Sequence, residues 1–434
     1  MEQAYWNKPI ETMPREGILN MQTERLKRTV ERVYARVPFY TDKMRSAGLL
    51  PGDIKTVFDI KKLPFTYKDD MRDNYPFGMF ASPMEDIVRI QATSGTTGRQ
   101  TVVGYTEKDL DVWSECMARC LVMAGQDRHS RIQVAYGYGL FTGGLGAHYG
   151  TERLGATVIP ASSGNTERQI TMLKDFGTTA LCCTPSYAMH IAETMRELGI
   201  NKNELKLTAG IFGSEPWTEA MRDKLEDMLG IKAYDIFGTA EIMGPAVSQD
   251  CARQDGMHIW EDCCIAEIID PDTGENLPDG STGELVLTTI HKEGMPLLRY
   301  RTRDITSIDT RPCGCGRTHA RMARLTGRSD DMIIIRGVNV FPSQIETVLM
   351  EMGEASPHYQ IILERQGALD RMTVEIEISD AMFSDEVKQL ERAETAIRNR
   401  LESRLGISCK IKLVEPKTIT RFEGKAKRVL DRRA

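Results

Sequence analysis

The chain has 434 residues, of which 41% are hydrophobic, and its 62 acidic and 56 basic residues give a net charge of −6. This length exceeds what one ordinary core requires, so two or more domains are expected. The acidic balance argues against nucleic-acid partners, and no run approaches the roughly 18 apolar residues that span a bilayer. No signal peptide is evident, so we expect a cytoplasmic protein with no membrane partner whose ten cysteines are reduced thiols.

The first 80 residues predict helices, because Leu26, Val30, Val33 and Val37 recur at helical spacing as one apolar stripe. From about residue 85, short apolar strands alternate with helical stretches. One helix is expected to begin after Thr106, a residue type favoured at helix N-caps. The predicted strands lie near residues 87–90, 102–103, 132–134, 156–159, 179–183, 207–212 and 232–236. This alternation predicts an α/β fold, in which a parallel-rich sheet is covered by helices on both faces.

The pattern changes after Gly327. The later predicted elements are an apolar run at 332–335, strands near 359–364 and 371–378, a charged helix over 383–404 and a strand at 408–414. We therefore expect a large amino-terminal domain over 1–328 and a small, mobile α+β domain over 332–434, joined by a polar hinge at 328–331. The basic residues from Lys425 to Arg433 lack interleaved aromatic residues, which favours a solvated helix end over a nucleic-acid patch.

A loop rich in glycine and hydroxyl residues, from Thr93 to Gly98, follows the first predicted strand. Such a loop can wrap polyphosphate oxygens with hydroxyls and backbone N–H groups. It is not a Walker loop, since no Gly-Lys-Ser/Thr follows. Taken alone, it is better interpreted as an ordinary hairpin turn, so the nucleotide interpretation depends on further motifs.

Four further motifs follow along the chain. The segment from Phe237 to Glu241 comes after a strand end, where an aromatic ring can lie on adenine and the carboxylate can bind a Mg²⁺ that bridges ATP phosphates. Asp304 is suited to the two ribose hydroxyls. The remaining two motifs are Gly327–Asp331, at the change of pattern, and Gly424–Lys425. Each is more often structural by itself, but all five in this order are improbable by chance.

On these motifs the chain resembles the adenylate-forming superfamily of acyl-CoA synthetases, luciferases and adenylation domains. The segments Arg328–Pro342, Tyr136–Gly139 and Gly213–Pro216 are similar to the phenylacetate–CoA ligase branch. The resemblance covers nearly the whole chain. It implies a ligase that uses ATP and Mg²⁺ to convert an aromatic acid, such as phenylacetate, into an acyl-adenylate. Coenzyme A then accepts the acyl group, and AMP and pyrophosphate are released.

The resemblance also implies a role for individual residues. Lys425 contacts the substrate carboxylate and the α-phosphate, and Glu241 binds Mg²⁺. Asp330 is the hinge of the small domain. The implied nucleotide site comprises Ser94, Gly95, Thr96, Thr97, Gly98, Ser214, Glu215, Pro216, Asp235, Phe237, Gly238, Thr239, Asp304 and Arg328. The candidates for the aryl pocket are Tyr136, Phe141 and Gly213. Two positions depart from the family, because Arg99-Gln100 replaces the usual Lys-Pro, and Phe237 stands where a tyrosine is common.

A second group of residues offers ligands for a metal. Cys251, His258, Cys313 and Cys315 would supply three thiolates and one imidazole, a set typical of closed structural zinc sites. Two interpretations stay open: the four residues form a zinc site, or they are unlinked loop residues. The rival ligands are Cys263, Cys264, His291 and His319.

Two other functions are alternatives to the ligase. One is an adenylate-forming enzyme with a non-CoA acceptor or a deazaflavin coenzyme as substrate. The other is a nucleotide-binding relative without turnover, against which Glu241, Asp304 and Lys425 argue. The expected partners are an aryl acid, ATP and CoA, and a homodimer stays open.

Overall fold

Four helices begin the chain: α1 (Lys8–Glu11), α2 (Arg15–Arg36), α3 (Pro38–Ser46) and α4 (Lys68–Asp73). The stripe predicted from Leu26, Val30, Val33 and Val37 is fully buried, so the helical start is confirmed. The structure is a computed structural model that describes residues 4–93, 100–329, 333–335, 338–352, 355–366, 369–378, 387–421 and 427–433.

The chain forms two compact units. Unit 1 contains Met1–Cys183, Asn203–Ser214 and Ile231–Arg324, and unit 2 contains Thr184–Lys202, Glu215–Gly230 and Leu325–Ala434. The predicted domain limits and the hinge at 328–331 stay predictions. Among the described residues, no helix combines the length and the apolar character that crossing a membrane requires.

Unit 1 is built from strands and helices in alternation. Its strands are β1 (Arg89–Ala92), β2 (Val102–Tyr105), β3 (Arg131–Val134), β4 (Thr157–Ile159), β5 (Ala180–Cys183), β6 (Ala209–Gly213), β7 (Lys232–Thr239), β8 (Gly244–Asp250), β9 (Met257–Ile259), β10 (Cys264–Ile269), β11 (Gly283–Thr289), β12 (Tyr300–Thr306), β13 (Ile308–Asp309) and β14 (Arg321–Met322). Its later helices are α5 (Glu107–Met123), α6 (Thr142–Leu154) and α7 (Thr166–Asp175). Thr106 caps α5 as predicted, because its hydroxyl accepts a hydrogen bond from the backbone N–H of Asp109 at 3.2 Å.

Nine strands of unit 1 form one sheet, in the order β13-β14-β9-β8-β7-β6-β5-β3-β4. The neighbours from β4 to β7 are parallel, as the alternating pattern predicts. The neighbours from β7 to β13 are antiparallel, an arrangement that the alternating pattern does not predict. The reason is local, since residues 240–243 are too few for the crossover that parallel strands need.

The carboxyl ends of the parallel strands position the candidate site. Parallel strands end at one edge of their sheet, and ligands of open α/β sheets usually bind there. Tyr136 follows β3, Ser214 follows β6, and the motif that begins at Phe237 closes β7. Backbones approach closely at this edge, because a Cβ on Gly238 would lie 1.7 Å from the carbonyl oxygen of Gly244.

Unit 2 contains helices α8 (Pro185–Glu197), α9 (Glu219–Leu229), α10 (Pro342–Glu351) and α11 (Val387–Leu405). Its strands are β15 (Gly327–Arg328), β16 (Ile333–Ile335), β17 (Val338–Val340), β18 (Ala355–Gln366), β19 (Leu369–Ile378), β20 (Lys410–Val414) and β21 (Val429–Arg432). Four of these strands form a sheet in the order β20-β19-β18-β21, over a core that includes Ile361, Val374 and Leu401. The α+β character predicted for this region is confirmed.

The prediction of a solvated helix end for the basic tail is wrong. Val429–Arg432 forms β21, which pairs in parallel with β18 from Ile361 to Glu364. The edge of β18 offers backbone hydrogen bonds from a distant part of the chain, and such tertiary pairing overrides local preference.

Candidate functional site

Two threonines join the ends of the predicted phosphate loop. The backbone N–H of Thr93 donates to the carbonyl oxygen of Thr101 at 3.1 Å, and the two hydroxyl oxygens lie 2.7 Å apart. These contacts continue the antiparallel pairing of β1 with β2, so the two ends of the loop lie next to each other. Residues 94–99 lie outside the described residues, and with them the predicted Ser94, Gly95, Thr96, Thr97 and Gly98.

Glu241 lies at the base of this loop. The Thr101 hydroxyl donates to Glu241 Oε1 at 3.5 Å, and the Thr239 hydroxyl donates to Oε2. Lys68 Nζ is 3.6 Å from Oε1, although these residues are far apart in the chain. Glu241 is only 3% exposed. A buried carboxylate therefore lies among hydroxyl groups and one ammonium group, beside the two ends of the predicted phosphate loop.

A buried lysine fixes the backbone of the same turn. Lys292 Nζ donates to the carbonyl oxygens of Glu241 at 3.1 Å and Ile242 at 3.0 Å. The Tyr105 hydroxyl donates to the carbonyl oxygen of Ala240 at 3.2 Å, and Lys292 Nζ lies 4.6 Å from the Tyr105 ring centroid. Burial lowers the pKa of Lys292 to about 8, against the opposing effect of nearby carboxylates. Neither residue was singled out from the sequence, since no local motif surrounds them.

The glycine-rich loop after β3 lies against β1. The carbonyl oxygen of Leu140 accepts from the backbone N–H of Ala92 at 3.1 Å, and that of Phe141 accepts from Gln91 Nε2 at 3.2 Å. These contacts place the loop next to the strand that leads into the predicted phosphate loop. Tyr136 is buried and Phe141 is 39% exposed, and their role in an aryl pocket stays a prediction.

The ends of β6 and β7 carry further predicted residues. Asp235 and Phe237 lie two residues apart on β7, so they share one face of the strand, and both are buried. The backbone N–H of Asp235 donates to Asp250 Oδ1 at 2.9 Å, and its carboxylate lies 3.6 Å from Arg324 Nε. Ser214 has a φ of +73°, a conformation that costs a non-glycine residue on the order of 1–3 kcal/mol and that clusters at functional sites.

A Cβ on Gly213 would lie 2.1 Å from the carbonyl oxygen of Ile236. Only glycine therefore allows β6 and β7 to approach this closely just before Ser214. The sequence-based role of Gly213 in the substrate pocket stays a prediction, but its requirement for the strand geometry is clear.

Three predicted nucleotide residues, Glu215, Pro216 and Arg328, line a cavity of about 530 Å³ in unit 2. This volume is in the usual range of small-molecule pockets. Glu215 Oε1 accepts from the backbone N–H of Ser186 at 2.8 Å. Arg428 also lines the cavity and lies over the ring of Tyr359, 4.4 Å from its centroid.

Three further predicted residues are Asp304, Lys425 and Asp330. Asp304 lies buried on β12, and its backbone N–H donates to the Thr302 hydroxyl at 3.1 Å. Lys425 and Asp330 lie outside the described residues. Their roles stay predictions.

The four predicted metal ligands meet in unit 1. The ligand atoms of Cys251, His258, Cys313 and Cys315 all lie within 4.8 Å of one another, and all four residues are buried. Among the residues that the structure describes, the rivals Cys263, Cys264, His291 and His319 do not join this group. The sequence favours these four residues, but their spacing forms no standard finger pattern and leaves the four rivals open.

Comparison with known proteins shows the family of the chain. The family model described as AMP-binding enzyme matches residues 20–291, and the AMP-binding enzyme C-terminal domain matches residues 337–433. Phenylacetate-coenzyme A ligase of Thermus thermophilus is 48% identical, over 98% of this chain and 98% of that protein. The Escherichia coli enzyme of the same name is also 48% identical, over 98% of this chain and 97% of that protein.

Solved structures give the same result. A crystal structure of 2-hydroxyisobutyryl-CoA ligase in the postadenylation state, in complex with R3-HIB-AMP, matches with a TM-score of 0.93 and 30% identity. It covers 99% of this chain and 92% of that one. The fold class predicted from the sequence is thereby confirmed. The chain belongs to the AMP-binding enzyme family and, within it, to the phenylacetate-coenzyme A ligase branch.

Proposed function

We propose that this protein is an ATP-dependent ligase that activates an aromatic carboxylic acid as its acyl-adenylate and transfers the acyl group to coenzyme A. Phenylacetate is the first candidate substrate, because the relatives that match nearly the full chain carry that name. The observation that carries the proposal is the position of Glu241 at the joined ends of the predicted phosphate loop.

The groups around Glu241 fit a magnesium ion. Mg²⁺ prefers oxygen ligands and is usually bound through one or two carboxylates together with substrate phosphates. Glu241 supplies the carboxylate, and the hydroxyls of Thr239 and Thr101 lie beside it. When bound, the ion neutralises charge on the ATP phosphates. Lys68 adds a fixed positive charge 3.6 Å from the same carboxylate.

We assign the rest of the nucleotide to the remaining residues that the family resemblance implies. Phe237 and Asp235 on β7 are our candidates for the adenine contacts, and Asp304 is our candidate for the ribose hydroxyls. Burial supports this assignment, since fixed charges and dipoles act more strongly where water is excluded. Arg328, which lines the cavity of unit 2, supplies a cation suited to ribose or phosphate oxygens.

The first half-reaction brings a carboxylate to an already anionic α-phosphate, so a cation must lie between them. We assign this cation to Lys425, and we assign the turning of the carboxyl-terminal domain between half-reactions to a hinge at Asp330. Both assignments come from the family resemblance. A cytoplasmic location and the oligomeric state stay predictions.

The test incubates the purified protein with ATP, Mg²⁺ and a panel of aryl acids, with and without CoA, and assays AMP, pyrophosphate and acyl-CoA. We expect pyrophosphate release that depends on the acid, and AMP with acyl-CoA when CoA is present. Phenylacetate should give the highest kcat/KM among the acids. A short aliphatic acid of equal concentration is the control for the aromatic preference.

Two outcomes would contradict the proposal in different ways. Acid-dependent pyrophosphate release without acyl-CoA would show an adenylate-forming enzyme with another acceptor. No AMP and no pyrophosphate from any carboxylate would exclude the ligase and leave a nucleotide-binding relative.

A further inference from the structure

Four ligand atoms converge at one buried point of unit 1 with the dimensions of a metal site. Cys251 Sγ lies 3.8 Å from Cys313 Sγ, and Cys315 Sγ lies 3.2 Å from His258 Nε2. Two thiolates on a tetrahedral zinc ion are about 3.8 Å apart, and a thiolate and an imidazole nitrogen about 3.6 Å, because the Zn–S and Zn–N bonds are about 2.3 and 2.0–2.1 Å. These two distances are within about 0.4 Å of those that an ion would impose, and all four ligand atoms lie within 4.8 Å of one another.

The orientation of His258 also suits a ligand. Its Nδ1 lies 3.1 Å from the carbonyl oxygen of His319, an atom that only accepts hydrogen bonds. Nδ1 therefore carries the proton and donates it, and the lone pair of Nε2 points at Cys315 Sγ. Histidines that bind metals usually donate their other N–H to a carbonyl or carboxylate in this way. The ring is fully buried, so no water competes for Nε2.

The backbone brings the two cysteines of the second segment to one side. The N–H of Gly316 donates to the carbonyl oxygen of Cys313 at 3.0 Å, which closes a tight turn around Cys315. Gly316 has a φ of +80°, where glycine is favoured. Cys251 directly follows β8, and His258 lies on β9. An ion at this point would join the turn to the ends of two neighbouring strands.

We propose that Cys251, His258, Cys313 and Cys315 bind one structural zinc ion. Three thiolates and one imidazole fill the four positions that structural zinc prefers, and all four residues are buried, so no position is left for a water or a substrate. The ion stabilises unit 1 and takes no part in the chemical step.

The surroundings of the site indicate what the ion stabilises. The Tyr5 hydroxyl donates to the carbonyl oxygen of Cys315 at 2.9 Å. Arg317 Nε pairs with Glu11 Oε2 at 2.7 Å, and both side chains are fully buried. The turn thus connects the amino-terminal segment to the rest of unit 1. Next to the cluster in sequence, Asp250 precedes Cys251, and its carboxylate accepts a hydrogen bond from the backbone N–H of Asp235.

The first test uses the native full-length protein, made in zinc-supplied medium and freed of loosely bound metal by gel filtration. Elemental analysis is expected to find about one zinc ion per chain. After exchange for Co²⁺, the absorption spectrum should display thiolate-to-cobalt charge-transfer bands and the strong visible bands of tetrahedral cobalt. Protein that holds no zinc as purified and takes up neither Zn²⁺ nor Co²⁺ would overturn the proposal, as would iron in place of zinc.

The second test compares two cysteine variants of unit 1. Cys315→Ala should lose the zinc and unfold at a lower temperature. Cys264→Ala, at an equally buried cysteine outside the cluster, should keep the zinc of the native protein. If Cys315→Ala does not fold, a strong chelator added to the native protein replaces it and should lower the Tm as zinc is removed. Full zinc in Cys315→Ala, or an unchanged Tm after chelation, would overturn the proposal.

Discussion

The two ends of β8 carry two buried polar clusters that are built in opposite ways. Before β8, the Glu241 carboxylate contacts two threonine hydroxyls and the Lys68 ammonium group. Its turn is fixed by hydrogen bonds from Lys292 and Tyr105. After β8, the cysteine–histidine cluster has four ligand atoms that face one another. In the first cluster the carboxylate lies beside the joined ends of the predicted phosphate loop. In the second cluster the four ligand atoms lie around one common point.

This difference suggests what each cluster requires. The Glu241 turn is complete without an ion, because protein donors already satisfy its backbone carbonyls. In the second cluster, three thiols and one imidazole can form only weak hydrogen bonds with one another. A bound ion would accept all four ligand atoms at once. Changes at the Glu241 turn should therefore affect catalysis more than stability, and loss of zinc should do the reverse.

The largest effect is expected for Glu241→Gln, which keeps the shape of the side chain and removes its charge. Loss of one preorganised electrostatic contact typically costs about 10²–10³ in rate, so kcat/KM for MgATP should fall by that factor. The Tm and the zinc content should stay close to those of the native protein. Glu293→Gln, at a partly exposed glutamate that pairs with Lys108, is the control and should be nearly fully active.

A loss of less than about threefold in Glu241→Gln would be too small for a metal-binding carboxylate. Such a result would leave Glu241 as a buried structural acid and would remove the main observation behind the proposed nucleotide site.

A smaller effect is expected for Lys292→Met, which keeps the length of the side chain but removes both hydrogen bonds to the Glu241 turn. The carboxylate should then be less well positioned, so that half-maximal activity requires about tenfold more Mg²⁺, which corresponds to about 1.4 kcal/mol. The measurement is the rate against free Mg²⁺ at saturating acid and CoA. Lys108→Met, at an exposed lysine of the same unit, is the matched control.

A merely structural role of Lys292 would give a different result. In that case the Tm would fall while the Mg²⁺ dependence of the remaining activity stayed unchanged. The two clusters would then differ less than we infer, because both would serve stability.

The sequence predicted those parts of the site that local motifs encode. The strand predicted at 232–236 is present, although it extends to Thr239 and so includes the start of the Phe237–Glu241 segment, and Thr106 caps its helix as predicted. Lys68 and Lys292 were missed because each reaches Glu241 from a distant segment, and an isolated lysine carries no local signal. The antiparallel half of the sheet was missed for a related reason, since strand direction depends on the length of a connection rather than on the strands.

The metal cluster illustrates the same limit. The sequence favours four of eight candidate cysteines and histidines, but their spacing forms no standard finger pattern and leaves the four rivals open. The selection of four follows from the antiparallel pairing of β9 with β14, which brings His258 opposite Arg321 and near the turn that contains Cys313. Pairing between distant segments therefore decides which ligands meet.

The smallest effect is expected for Tyr105→Phe. This change removes the hydrogen bond to the carbonyl oxygen of Ala240 and keeps the ring beneath Lys292. One neutral hydrogen bond contributes about 0.5–1.5 kcal/mol, so the Mg²⁺ requirement should rise about two- to tenfold and less than in Lys292→Met. Tyr34→Phe, which loses an exposed hydroxyl contact to Arg45, is the control.

The double variant of Tyr105 and Lys292 decides whether the two residues act on one turn. Residues that share a contact network deviate from additivity by about 0.5–3 kcal/mol, whereas independent residues add within about 0.5 kcal/mol. We expect the double variant to need little more Mg²⁺ than Lys292→Met, because the turn is already released. Strict additivity would show that the two residues affect the Mg²⁺ requirement independently and not through one shared turn.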